Sequence, residues 1–201
     1  MTTPAARGER STAATGLARL DQDTVALARS LARVRLAPLP RRWAHTIGVA
    51  TAAHQLSGGL SPAGRAAITA AAWAHDIGYA PSLVDTGFHP LDGARFLKHA
   101  GFHPVILSLV AHHTGADSEA YERGLLAELA EFHPVYRPLL DVLTGADLTT
   151  SPDGLPVEPA DRLSEILSRY PPTDPVHRAV LHSGPQLLAA AARARKHLTA
   201  S

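Results

Sequence analysis

Proline and glycine clusters cut this chain into apolar-rich pieces of helical length, and no piece shows the alternation of apolar and polar residues that a half-buried strand requires. A chain divided in this way has to bury its apolar surface between helices, so the punctuation predicts an all-α, compact multi-helix bundle. Its 201 residues are enough for one well-cored domain.

The first predicted helix covers about residues 21 to 35, and the second opens after Pro38 and Pro40 and stops near Ser57-Gly58-Gly59. In the third, Ser61 caps the start, Pro62 takes the first helical position and Gly78 falls just past the end, so that the final turn carries His75 and Asp76. After a loop containing Tyr79 to Pro90, Asp92 is read as the cap of a short helix. Another runs from Pro104 to Gly115, and Asp117 or Ser118 caps one reaching about Phe132. A helix from about Val135 to Leu148 ends at Thr149-Thr150-Ser151-Pro152-Asp153-Gly154. Two helices, about 159–169 and 174–197, close the chain, the last expected to kink or split at Gly184-Pro185. Residues 1–16 read as a flexible leader ahead of a single domain over 17–200, whose C-terminal accessory helices span 158–197.

With 19 basic and 18 acidic residues the formal net charge is +1, so no overall field favours nucleic acid or an anionic membrane. No run approaches the roughly 20 apolar residues of a membrane helix, and the start lacks a signal-peptide core, so a soluble cytoplasmic protein is expected. There is no cysteine, so a transition-metal site has to use imidazole and carboxylate. The small residues of Ala189 to Ala194 allow close helix packing and offer a seam for a homodimer.

Twelve histidines are many for such a chain, and their placement says more than their number. His45 shares a helical face with Val49, Ala52 and Leu56, and Asp147 shares one with Leu143, Leu140 and Tyr136, so both point inward. A buried carboxylate without a partner is costly, and neither helix offers an obvious arginine on that face, which leaves a cation to resolve the problem. In chain order the candidate ligands are His45, the His75-Asp76 pair, His89, the His112-His113 pair and Asp147, each near the end of a different helix. Isolated histidines such as His54, His99 and His177 read as solvated or structural.

This order of residues, carried by RRWAHTIGVA, WAHDIGYA, GFHPLDGARFL, SLVAHHTGA and LLDVLTGADLTT over about residues 41 to 150, resembles the HD superfamily of metal-dependent phosphohydrolases in its His-Asp-Ile-Gly version. The resemblance implies His45, His75, Asp76 and Asp147 as ligands of a first metal. It implies His89 and His113 for a second, with Asp76 bridging; His113 is preferred to His112 because it directly precedes Thr114-Gly115. One or two divalent ions are implied, among Mn, Fe, Co, Ni, Zn and Mg. The implied activity is hydrolysis of a phosphoester of a nucleotide or related small metabolite by a metal-activated water.

General acid help is expected from His112, with His103 as a second choice, and phosphate contacts from Arg41, Arg42, Arg95, Arg123, Thr149 and Thr150. Two departures stand out. Tyr79 replaces the lysine that many relatives carry after His-Asp-Ile-Gly, and Gly115-Ala116-Asp117 stands where the cyclic di-GMP phosphodiesterase branch has Gly-Tyr-Pro, which argues against that branch. The superfamily also contains mixed-valent di-iron oxygenases with the same ligand order, and non-catalytic nucleotide-sensing modules are the third reading.

Overall fold

The computed structural model describes residues 20–199, so the leader expected over 1–16 lies outside them. The helices are α1 (Gln22–Leu36), α2 (Pro40–Leu56), α3 (Pro62–Ala74), α4 (His89–His99), α5 (Pro104–His112), α6 (Ala116–Arg123), α7 (Leu126–Leu129), α8 (Arg137–Leu148), α9 (Pro159–Arg169) and α10 (Pro175–Thr199). Single 3-10 turns occupy Ile77–Tyr79 and His113–Gly115. There is no strand among the described residues, only an isolated bridge between Thr150 and Pro156. None of the described helices is long and apolar enough to cross a membrane.

The centre of the bundle is α3, in which Ala66, Ala67, Ile68, Ala70, Ala71, Ala72 and Ala74 are all buried. Its small side chains let α1, α2, α5 and α8 pack around it, which is why an alanine-rich helix can sit in the middle of a core. Prolines open most of the helices at the first or second position, where a missing N–H costs nothing.

Four local expectations are corrected. Asp92 does not cap α4, which begins at His89; it sits in the first turn, buried, and its carboxylate accepts from the backbone N–H of Asp85, Thr86 and Gly87 and from the Thr86 hydroxyl. It therefore shapes the loop that delivers His89. Neither Asp117 nor Ser118 caps α6, because Gly115, with φ +80°, already turns the chain into it. The helix expected to reach Phe132 breaks at Gly124, where φ is +70°. Finally, α10 runs on through Gly184-Pro185; the carbonyl that Pro185 leaves without its helical donor belongs to Leu181, an exposed residue.

The accessory helices are fixed to the bundle by both packing and charge. Ala191 and Ala194 are buried beside Gly145 of α8, and Ala190 is buried too, whereas Ala189 and Ala192 of the same stretch are exposed. Arg193 grips the buried Asp141 of α8 through two hydrogen bonds of 2.6 and 2.7 Å. Tyr136 departs from its expected inward face: it precedes α8 and is 72% exposed.

Candidate metal centre

Helix α3 ends at Ala74, three residues earlier than the glycine stop implied. His75 is still helical, whereas Asp76 turns to φ −99°, ψ 6°, which swings its carboxylate toward the side that His75 faces. His75 Nε2 then lies 3.3 Å from Asp76 Oδ2. Gly78 does not act by a left-handed conformation. A Cβ there would fall 2.1 Å from the carbonyl oxygen of His89 and 2.7 Å from Gly93 N, so the glycine is what lets α4 rest directly on the His-Asp turn.

The other ligand-type side chains arrive from separate elements. His45 comes from α2, His89 is the first residue of α4, His113 follows α5, and Asp147 lies in the last turn of α8. The turn after α8 folds back onto α2 at Gly154, whose φ is +79° and whose Cβ would lie 2.4 Å from the Ala44 carbonyl oxygen. That close approach hands the Ser151 carbonyl to His45 Nδ1 at 3.0 Å. His75 Nδ1 meets the carbonyl of Ala72 at 2.8 Å, and His113 Nδ1 that of Val110 at 2.7 Å.

A carbonyl only accepts, so all three Nδ1 atoms carry the hydrogen, and in the neutral rings the Nε2 lone pairs are left facing the centre. They face carboxylate oxygens: His45 Nε2 is 3.0 Å from Asp147 Oδ1 and 3.8 Å from Asp76 Oδ2. On the other side, Asp76 Oδ1 lies 3.4 Å from His89 Nε2, which is 3.3 Å from His113 Nε2. Lone pairs opposed at such distances repel unless a proton or a cation lies between them. The buried His75 Nε2 has no hydrogen-bond partner at all.

The donors fit a metal in two groups, His45 with His75 and Asp76, and Asp76 with His89 and His113, each group having ligand atoms within 4.8 Å of one another. Asp147 adjoins the first group. Asp76 belongs to both and presents a different oxygen to each.

The ionisation states agree with this fit. Burial would raise Asp76, yet Arg42 and the neighbouring histidines hold it well below the usual carboxylate range. Asp147 is lowered too, with the hydrogen bond and charge of His45 outweighing burial. Burial depresses His89 and His113, and the charge of His75 depresses His113 further. In His75 burial is outweighed by Asp76, so this imidazole is raised, and proton and metal compete for its Nε2 lone pair.

An arginine does reach the site. Arg42, one turn before His45, donates to Asp76 Oδ2 at 2.7 Å. Its guanidinium lies 3.9 Å from the centroid of the Tyr79 ring, and the other face of that ring stacks on His89 at 4.0 Å. Tyr79 therefore positions a carboxylate partner on one side and an imidazole on the other.

A family model, HD domain, matches residues 42–169. The chain belongs to the HD domain family. No curated protein and no solved structure matches it. The HD match takes in every candidate ligand and reaches the end of α9, leaving α10 outside it.

Several expected site residues are engaged elsewhere. Both ring nitrogens of His112 are taken, Nδ1 by Asp117 at 3.0 Å and Nε2 by the Phe132 carbonyl at 2.6 Å. With acceptors on both sides, the buried ring is raised despite burial and acts as a brace in this HD domain, not as a cavity acid. His112→Ala should cost about 2–4 kcal/mol of stability in chemical denaturation, through the lost hydrogen bonds and volume, and leave metal content unchanged.

His103 accepts from Val105 N as the cap of α5. Arg95 pairs with Glu131, Arg123 with Glu119, and the exposed Arg41 with Asp153. The Thr149 and Thr150 hydroxyls donate to backbone carbonyls in α8. None of Arg95, Arg123, Thr149 and Thr150 lines the cavity over the centre.

That cavity is instead walled by α9 and α10. Leu163, Ile166, Val176, Val180 and Leu187 form an apolar side, and Arg162 and Arg169 bring positive charge. The sequence carries a signal for these residues: Arg162, Ile166 and Arg169 share one face of α9, so an arginine stands where an amphipathic helix should be apolar.

Thr114, also at the cavity, has φ 43° and ψ 52°, a left-handed conformation that strains a β-branched residue. Thr114→Gly should therefore stabilise the fold by about 1 kcal/mol, raising the melting temperature by about 2–4 °C.

Proposed function

We propose that this protein is a metal-dependent phosphohydrolase that cleaves a phosphoester of a nucleotide or related small metabolite. The observation that carries the reading is the convergence of Nε2 atoms, their rings fixed through Nδ1, on two buried carboxylates in an HD domain. His45, His75, Asp76 and Asp147 would hold one divalent ion, and Asp76, His89 and His113 a second. Such ions supply Lewis acidity and lower the pKa of an attacking water toward neutrality.

The chain's own residues provide the rest. Arg42 orients Asp76, and Tyr79 keeps both Arg42 and His89 in place. The apolar side built by α9 and α10 excludes bulk water and gives the organic part of a substrate a surface to pack on. Positive charge along the same cavity suits a phosphate ester.

The test is an assay of purified protein with Mn, Co, Ni or Mg against a nucleotide panel and a chromogenic phosphate ester, with metal content measured in parallel. Metal-dependent phosphate release is the expected result. No release from any substrate, or two irons per chain with substrate-dependent O₂ uptake, would replace the reading.

A further inference from the structure

Four buried side-chain polar atoms among the described residues lack a hydrogen-bond partner, and three of them belong to the centre or its cavity: His75 Nε2, Thr114 Oγ1 and Arg162 Nε. A metal accounts for the histidine. It does not account for the other two, which come from different elements, the turn after α5 and the start of α9.

Arg162 is only 6% exposed, and its guanidinium hydrogen-bonds to one carboxylate, that of Glu165 one turn along α9, while its charge also acts on the Asp147 carboxylate across the cavity. Glu165 is shared: it also holds Arg169 at 3.1 Å. A single part-exposed carboxylate thus serves two arginines that line the cavity. A guanidinium has five N–H donors and keeps its charge at any relevant pH, so burying it against one shared partner is costly unless something else completes it. Arg42 is in a different position, since Asp76 already takes its charge. The planar fork of Arg162 matches the oxygens of a phosphate, which a hydroxyl can also donate to.

We infer that Arg162, with Arg169 and, from the turn after α5, the Thr114 hydroxyl, forms an anion site in the cavity that takes the phosphoryl oxygens of the substrate, while Glu165 holds the guanidinium until the anion replaces it. The phosphohydrolase reading supplies the identity of the anion as a substrate phosphate, but the anion site itself does not depend on turnover.

The test is a calorimetric titration of metal-loaded protein with inorganic orthophosphate, at metal contents measured for each variant. Arg162→Gln should raise Kd by about 10- to 100-fold, the loss of one or two charge-assisted hydrogen bonds. Arg162→Lys should recover only part of that loss, because an ammonium lacks the fork. Glu165→Gln, outside the cavity, removes the competing carboxylate and should tighten orthophosphate by about threefold, the scale of a part-exposed ion pair.

A folded Arg162→Gln protein with unchanged Kd overturns the inference. Should that variant fail to fold, Glu165→Gln decides alone: a purely structural ion pair leaves Kd where it was or weakens binding, and either result sinks the anion site. Orthophosphate binding that depends on Arg162, in a protein that cleaves no ester, keeps the anion site and removes the phosphohydrolase reading.

Discussion

Asp76→Asn is expected to strip the protein of bound metal and of any metal-dependent turnover. Asp76 is the one side chain common to both ligand groups, with Oδ2 toward His45 and His75 and Oδ1 toward His89. Asparagine removes the negative charge and replaces one oxygen by an NH₂ group, which has no lone pair to offer a cation. Whichever way the amide is turned, one ligand group loses its carboxylate oxygen, and both lose its charge. Loss of a mere orienting partner of a ligand weakens metal binding by about 10- to 100-fold, so loss of the shared ligand should exceed 100-fold.

The comparison that makes this specific is Asp147→Asn. Asp147 adjoins only the His45 side, so that variant should still take up metal at the group of Asp76, His89 and His113. Elemental analysis of both proteins after identical loading separates the cases. Full metal content in Asp76→Asn would show that this carboxylate is not the hub of the centre.

The difference between what was readable in advance and what was not follows from the range of the interactions concerned. His45 and Asp147 stand out as polar residues on apolar helical faces, and His75, Asp76, His89 and His113 as polar residues at the ends of helices, local patterns visible in a few residues. The helices themselves are legible for the same reason, through the Ser61 cap and the prolines at first turns.

Partnerships across the fold were not. Nothing near Arg42 in the chain announces that it pairs with Asp76, 34 residues away. Nor does the sequence near His112 show that the Phe132 carbonyl will take its Nε2 and turn it from the cavity. Asp92 departs from the usual role of an aspartate at a helix start, which is to cap it, because here the preceding loop wraps over the carboxylate and uses up its oxygens. The C-terminal helices could be expected to wall the cavity, but no motif in α9 and α10 names the residues that face it. Only the bundle's packing brings them over the site.

Gly78→Ala is expected to be the most damaging single-methyl change near the centre. The added Cβ would sit 2.1 Å from the His89 carbonyl oxygen, 2.9 Å from its carbon and 2.7 Å from Gly93 N. All three are backbone atoms at the start of α4, so no side-chain rotation can relieve the contact, and α4 has to move as a unit away from the His-Asp turn. Overpacking ordinarily costs about 1–3 kcal/mol where side chains can give way. A collision between main chains belongs above that range, at about 3 kcal/mol or more, a large part of the 5–15 kcal/mol available to a typical domain. The melting temperature should fall by about 6–12 °C.

Because His89 opens α4, the same displacement draws its imidazole away from Asp76 and His113, and metal lost from that group should accompany the loss of stability. Gly58→Ala is the matched control, since its Cβ would meet only the Gln55 carbonyl oxygen, at 3.7 Å. Calorimetric melting of both variants, with metal content measured on the folded fraction, checks the claim. Equal melting temperatures for the two would mean that the close approach of α4 to the His-Asp turn does not hold this centre together.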